Sequence, residues 1–548
     1  MTHDPTTSPD APHWTEPDVL IVGAGASGAA VAWSLGRAGF RVVCLDQGGW
    51  VDPTSMPPLH DDWELRRLTS FSPDPNIRQL PEDYPVNDRA STFTPLMYNA
   101  VGGSTIHWSG HFPRYHPSDF RVHTLDGVAD DWPLTYDELE PYFDLNDGVI
   151  GVSGLAGDPS QPPRSPRQTR PLPIGTMGET IARGFDRLGW HWWVSDGAII
   201  SEPYGEHRRP CNHCGPCDLG CPIAARSSAD VTYWPQAVAF GVELRTYCRV
   251  REITVDEQGR ARGALYYDRE GRLHEQTAPI VIVACNGVGT PRLLLNSRSR
   301  HFPDGLANGS GLVGKNLMFH PVAEVGGVFA EELDSYKGPI GNCLFSHEFY
   351  ETDLRRGFVR GYGMQVTRQS GPMNTALGGI TGQRIPWGRD HHRIFAERFK
   401  HMAYLGIFGE DLPETINDVT LDPTLVDAHG IPAPLVRYRM SDNSKKMMEH
   451  GVARATEVMI AAGATEVIST NPYRPAGWHL LGTCRMGDHP LASVVDRWGR
   501  SHDVPNLYIV DGSIFVTSAA VNPTSTIQAL ALRTADFIQR ERANLPTG

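Results

Sequence analysis

The chain has 548 residues, 40% hydrophobic and 20% charged, with a formal net charge of −14. That is too long for one simple core, so two structural domains are expected, in a composition ordinary for a globular protein. The acidic balance excludes nucleic acid as a partner, because phosphate binding needs clustered Lys and Arg, and no apolar run approaches the roughly 18–20 residues of a membrane span.

Residues 1–16, rich in Pro, Thr and Asp, lack the charged-then-apolar pattern of a signal peptide. They read as a disordered leader and the protein as cytoplasmic, unless a partner subunit carries an export signal for it. Val19-Leu20-Ile21-Val22 is an apolar run suited to a buried parallel strand, and it enters Gly23-Ala24-Gly25-Ala26-Ser27-Gly28, a G-x-G-x-x-G turn. A helical pattern follows (Ala29, Ala30, Trp33, Leu35, Ala38) and closes at Gly39. The next strand, Arg41 to Leu45, ends on Asp46 and Gln47, with the acid about 20 residues beyond the glycines, where a ribose-binding carboxylate belongs. In such a unit Gly23 makes the tight turn and Gly25 lets the backbone approach a pyrophosphate. Gly28 lets helix and strand pack closely, and the helix start at Ala26 and Ser27 offers free N–H groups to the anion. This segment implies a dinucleotide without separating FAD from NAD.

Further along come Val101-Gly102-Gly103-Ser104-Thr105-Ile106-His107-Trp108 and then Asp131-Trp132-Pro133-Leu134. Pro159 to Pro173, rich in Pro and Arg, reads as a surface loop or lid. Cys211, Cys214, Cys217 and Cys221-Pro222 have the C-x₂-C-x₂-C-x₃-C-P spacing of bacterial iron–sulfur ferredoxins, although no second such run exists. An iron–sulfur cluster, a structural zinc, disulfides and plain reduced thiols all remain open for these four. Next are Ala284-Cys285-Asn286-Gly287-Val288-Gly289-Thr290-Pro291, Gly409-Glu410-Asp411-Leu412-Pro413 and a helical run from Asn443 to Ala462. The C-terminal part carries Trp478-His479-Leu480-Leu481-Gly482-Thr483-Cys484-Arg485-Met486-Gly487 and Leu507-Tyr508-Ile509-Val510-Asp511-Gly512-Ser513. It ends with Val521-Asn522-Pro523-Thr524, where Thr524 to Ala535 reads as a helix with Pro523 at its first position.

These blocks, in this order and over most of the chain, resemble the glucose–methanol–choline (GMC) oxidoreductases. Asp131 to Leu134, the cysteine run and Gly409 to Pro413 are most similar to the sugar-oxidising branch, which holds gluconate and glucoside dehydrogenase large subunits and pyranose oxidases. The resemblance implies an α/β fold: a Rossmann-like FAD-binding domain (17–105, 205–330 and 472–548) interleaved with an α+β substrate domain and lid (106–204 and 331–471) built on an antiparallel sheet. It implies FAD held by the first glycine loop, by Gly102, Gly103, Ser104 and His107, by Val250 at the adenine, and by Asp511, Gly512, Asn522, Pro523 and Thr524. Some members join the flavin covalently to a His at the offset of His107; in others this residue stands beside a non-covalent flavin.

The implied activity is FAD-dependent oxidation of an alcohol, a secondary hydroxyl of a sugar or glycoside. His479 is the expected base and Asn522 the group that holds the substrate oxygen, because alcohol oxidation needs a near-neutral base within hydrogen-bond reach of the hydroxyl. The substrate is expected to be a small polyhydroxylated molecule, contacted by residues around 92–115 and 330–400. Oxygen, a quinone or a partner protein would accept the electrons. Two alternatives stay open: a dehydrogenase large subunit passing electrons through an iron–sulfur cluster, and a lyase of the same fold that keeps FAD without using it.

Overall fold

A computed structural model describes residues 13–206, 208–368, 371–379 and 383–542. Four all-apolar runs, Val19–Val22, Val42–Leu45, Ile280–Val283 and Leu507–Ile509, are wholly buried and form a parallel sheet with Glu243–Arg245. Its order runs from 507–509 through 280–283, 19–22 and 42–45 to 243–245. A strand buried on both faces has to be apolar at every position, which is why these segments do not alternate. Val19, Ile21, Val42, Cys44, Ile280 and Ile282 pack on the helix side, against Ala29, Leu35, Ala531 and Ala535. Leu20, Val22, Val43, Val281 and Val283 pack on the opposite side, with Ile253 and Ala264 of an antiparallel three-stranded layer. Three distant stretches of chain therefore share one Rossmann-like sheet.

The second main sheet is antiparallel and six-stranded, ordered Glu466–Thr470, Val322–Val328, Met402–Gly409, Tyr362–Arg368, Leu344–Ser346 and Trp193–Val194. Side chains alternate across it. Ala323, Val325, Met364, Val366, Leu405 and Ile407 bury against the helices Gly175–Leu188 and Asp442–Ala462, through Ile181, Phe185, Met447 and Val458. The opposite face, with Val322, Glu324, Gln365, Thr367 and Phe408, is turned to the main cavity.

Several boundaries differ from the sequence reading. Val322–Val328 pairs with Met402–Gly409, so it belongs to the antiparallel sheet, although it lies in the 205–330 stretch expected in the FAD-binding domain. The C-terminal helix runs from Thr524 to Arg540, five residues beyond the expected end, and Pro523 is its N-cap rather than its first residue. Of the expected leader, residues 1–12 lie outside the described residues, while residues 13–16 are anchored. His13 Nδ1 contacts Glu243 Oε1 at 2.9 Å, the Trp14 amide donates to Glu243 Oε2 at 2.6 Å, and the Trp14 indole donates to Gly241 O. Within the expected lid, Arg167 and Arg164 are ion-paired to Asp196 at 2.7 and 3.1 Å, which pins that loop to the body. Among the described residues, no helix is long and apolar enough to cross a membrane.

Candidate active site

One cavity of about 950 Å³ runs between the two sheets. Gly23, Gly25, Ala26, Ser27, Asp46, Gln47 and Val250 line one part of it, and Gly103, Ser104 and His107 another. Asp511, Gly512, His479, Asn522, Pro523 and Thr524 complete the wall from the C-terminal segment. Gly28 and Gly102 do not line it and act behind it. A Cβ on Gly28 would lie 1.9 Å from Gly23 O. Gly102 adopts φ +93° and donates its N–H to Ala24 O at 2.9 Å, joining the second glycine loop to the first.

The geometry fits a dinucleotide. Helix Ala26–Arg37 begins at Gly25 with no side-chain cap, so its first N–H groups are open to the cavity, and a Cβ on Gly25 would meet nothing within 4 Å. An uncapped helix N-terminus beside open space is an anion site. Asp46 receives N–H bonds from Ala24 (2.6 Å) and Gly48 (2.8 Å), and burial pushes its carboxyl up to about 6. It fixes the glycine loop while spare lone pairs remain for a ribose hydroxyl. Asp511 is held by the Thr290 hydroxyl at 2.5 Å and the Ser513 amide at 2.9 Å.

At the far end a hydrogen-bonded set of imidazoles surrounds Asn522. His320 Nε2 lies 3.1 Å from the carbonyl of Ser518, which can only accept, so this nitrogen carries the proton. Neutral His320 then accepts at Nδ1, 2.8 Å from His479 Nδ1. His479 Nδ1 is therefore the donor, and its Nε2 keeps a lone pair, 3.4 Å from Asn522 Nδ2. His111 Nδ1 contacts Asn522 Oδ1 at 2.8 Å, which orients the amide with its NH₂ toward His479. Burial pushes His111 and His320 down to about 4, and burial first, with the neighbouring His320 and His111 imidazoles after it, holds His479 well below its ordinary value. All three are neutral at neutral pH. His320 was not singled out in the sequence; its only signal was a His-Pro pair just before an apolar strand.

The branch-specific motifs stand behind this set. Trp132 donates to Thr517 Oγ1 at 2.7 Å, and Asp411 exchanges hydrogen bonds with Ser518. Arg360 is buried between Glu410 and Asp119, 2.8 Å from each. They fix the backbone of residues 517–518, and through the Ser518 carbonyl the tautomer of His320.

His107 is 2% exposed, and neither ring nitrogen has a hydrogen-bond partner of ordinary geometry. Its ring sits 4.3 Å from that of Tyr98 and 4.8 Å from that of Phe71. Burial, then the charges of Arg78 and Arg226, keep it neutral.

Cys211, Cys214, Cys217 and Cys221 are free thiols on one loop, which removes the disulfide reading. The zinc reading fails on distance, since Zn–S bonds of about 2.3 Å draw thiolates to within about 4 Å of one another. Among the described residues, the one set of three His, Cys, Asp or Glu side chains converging within 4.8 Å is Asp158, His191 and His347. There His191 Nε2 bonds Asp158 at 2.9 Å and Ser160 bonds His347 Nδ1 at 2.9 Å. In the cysteine loop, backbone N–H groups of His213 and Arg226 instead point at the sulfurs of Cys211 and Cys221, each at 3.4 Å. Burial raises Cys211 to about 11.

Residues 176–322 and 413–531 match the GMC oxidoreductase family models, and residues 21–84 match an NAD(P)-binding Rossmann-like domain. The chain is 46% identical to the 2-methyl-1,2-propanediol dehydrogenase of Mycolicibacterium austroafricanum, over 98% of this chain and 97% of that protein. It is 30% identical to the fructose dehydrogenase large subunit of Gluconobacter japonicus, over 95% and 97%. The solved structure of pyridoxine 4-oxidase from Mesorbium loti has the same fold, with a TM-score of 0.66 at 16% identity, covering 95% of this chain and 99% of that one. The chain belongs to the GMC oxidoreductase family and is an FAD-dependent oxidoreductase acting on CH–OH groups.

Proposed function

We propose that the enzyme oxidises a small polyhydroxylated alcohol, with His479 as the base and Asn522 as the group that holds the substrate oxygen. The observation that carries this is the relay from the Ser518 carbonyl through His320 to His479, which leaves the Nε2 lone pair of His479 facing the cavity beside an amide donor. FAD, when bound along the glycine loops, supplies the hydride acceptor. His479 Nε2 takes the hydroxyl proton as the carbon–hydrogen bond is lost, and the Asn522 NH₂ group donates to the oxygen as negative charge develops there. His320 accepts from the other side of the imidazolium that results. A lyase use of the fold needs no hydride acceptor, so anaerobic bleaching of the flavin's visible band by substrate tests the reading directly. A yellow protein that no alcohol bleaches would overturn it.

Two further points of the reading concern the flavin's surroundings. His107 faces the cavity as a neutral imidazole with unused nitrogens, which suits either a bond to the flavin or a contact with it. Acid precipitation separates the two, with colour in the pellet marking a covalent link. The cysteine loop is braced to the His107 loop by Arg226, which donates to Cys217 O at 2.8 Å and to Ile106 O and Trp108 O at 2.8 and 2.6 Å. That bracing sets the cysteine loop against the His107 loop, so an iron–sulfur cluster, were the four thiols to hold one, would supply an electron exit near the flavin and mark the enzyme as a dehydrogenase. Iron and acid-labile sulfide in protein purified without air would bear this out, and their absence would leave a diffusible acceptor. The polyhydroxylated substrate is supported by the named compounds of the two relatives, a diol and a sugar.

A further inference from the structure

Across three strands of the antiparallel sheet, Glu324, Gly406 and Gln365 stand in one row, since Glu324 pairs with Gly406 and Gly406 pairs with Gln365. Residues in register point to the same face. Here that is the cavity face, shared with Val322, Phe408 and Thr367. Gly406 leaves a notch in the middle of the row, and a Cβ there would lie 3.0 Å from Phe408 Cε2 and 3.1 Å from Glu324 Oε1, so the ring and the carboxyl share the notch. Every other residue of Val322–Val328 is Val, Ala or Gly. Glu324 is 6% exposed, and its Oε2 has no hydrogen-bond partner. Thr367 Oγ1, on the same face, is also buried and unpartnered. Buried polar atoms are nearly always satisfied, and an orphaned one that opens on a ligand cavity is set out for the ligand.

We infer that Glu324, with Gln365 across the Gly406 notch from it, forms a polar subsite for a second hydroxyl of the substrate, so that the enzyme selects neutral diols and polyols over simple alcohols. This rests on the alcohol-oxidising reading above. Phe408, whose ring centroid lies 6.5 Å from that of His479, belongs to the adjacent Val322 row. Two residues along a strand span about 7 Å. Glu324 stands in the next row along the sheet from the residue that flanks His479, and both face the same cavity. Burial alone pushes Glu324 up to about 8, with no cation or donor offsetting it, so at neutral pH it is a carboxylic acid that both donates to and accepts from a hydroxyl. Gln365 Nε2 is committed to Gly341 O at 2.6 Å, which stiffens the far side of the notch.

The test uses binding to the FAD-loaded enzyme, read from the flavin's visible spectrum, with ligands that have no carbinol hydrogen and cannot react. Pinacol has two tertiary hydroxyls and tert-butanol one. Wild-type enzyme should bind pinacol about 10–100-fold more tightly than tert-butanol, the range for one or two buried hydrogen bonds. Glu324→Gln, which can still donate and accept, should keep most of that preference. Glu324→Leu should abolish it without weakening tert-butanol, with thermal unfolding showing that each variant is folded. Equal binding of the two ligands by wild type, or a preference that survives Glu324→Leu, would overturn the proposal. So would tighter binding of the cationic analogue 1-amino-2-methyl-2-propanol that Glu324→Gln destroys, since the site would then be for an ammonium group. None of these outcomes depends on flavin reduction, so failure of the alcohol-oxidising reading would show separately, as a flavin that no alcohol bleaches.

Discussion

His320 Nδ1 lies 2.8 Å from His479 Nδ1, and because His320 spends its own proton on the Ser518 carbonyl, it can only accept from His479. One backbone carbonyl on the C-terminal segment thus determines which nitrogen of His479 faces the cavity. Replacing His320 by Leu should slow anaerobic flavin reduction between about 10- and 10⁴-fold, the range spanned by partners that orient functional imidazoles. His320→Gln, whose amide oxygen still accepts, should recover much of that loss. Neutral His320 accepts a hydrogen bond from protonated His479, so losing that acceptor should make His479 harder to protonate, and the acid limb of the pH–rate profile should move to lower pH in His320→Leu. A loss with an unmoved limb and no rescue by Gln would mean that His320 serves only packing.

Removing His479, the proposed base, should be the more severe change. His479→Ala should slow flavin reduction by about 10²–10⁴-fold, the usual contribution of a general base, while FAD stays bound. Asn522→Ala should cost about 10²–10³-fold, as for one lost oxyanion donor. The double variant should lose less than the product of the two, because His479 Nε2 and Asn522 Nδ2 lie 3.4 Å apart and are proposed to act on the same oxygen. Stopped-flow reduction under anaerobic conditions measures all three.

The glycine loop offers a contrast between folding and binding. Gly23→Ala puts a Cβ 2.5 Å from Ala284 O at φ +106°, so it should lower the melting temperature of the FAD-free protein. Gly25→Ala meets no protein atom within 4 Å and should leave that temperature unchanged. It should nevertheless weaken FAD binding by about 10-fold or more, since the methyl group enters the space beside the open helix N–H groups. Fluorescence titration with FAD and thermal unfolding without it separate the two effects.

Stability should respond to pH through Glu324. The folded protein holds this proton up to about pH 8, whereas the ordinary glutamate value is 4.5. Between these values the folded state binds more protons than the unfolded chain, so this residue's contribution falls as pH rises, by up to about 1.4 kcal/mol per unit. Below pH 4.5 both states are protonated and the contribution is constant. Glu324→Gln removes the dependence. Its melting temperature should therefore gain on wild type steadily from pH 5 to pH 8, and a constant offset across that range would refute the raised affinity.

Much of this protein can be read along the chain. Val19–Val22 and Gly23 to Gly28 declare a Rossmann unit because strand, turn and helix start are local, and each residue type answers a local steric or hydrogen-bonding need. His479 and Asn522 could be found because they sit in long motifs resembling those of a known family. The partners of these residues were decided only by the tertiary structure. The His320, His111 and Ser518 contacts bridge 159, 411 and 198 positions of sequence, and no local pattern records such separations. The same is true of Glu324. In sequence it is one acid in an apolar run, and its meaning appears only when Gly406 and Gln365, from two other strands, place it in a notch facing the cavity. Local sterics are written residue by residue, whereas burial, tautomer and an unmet hydrogen bond are properties of what the folded chain brings alongside.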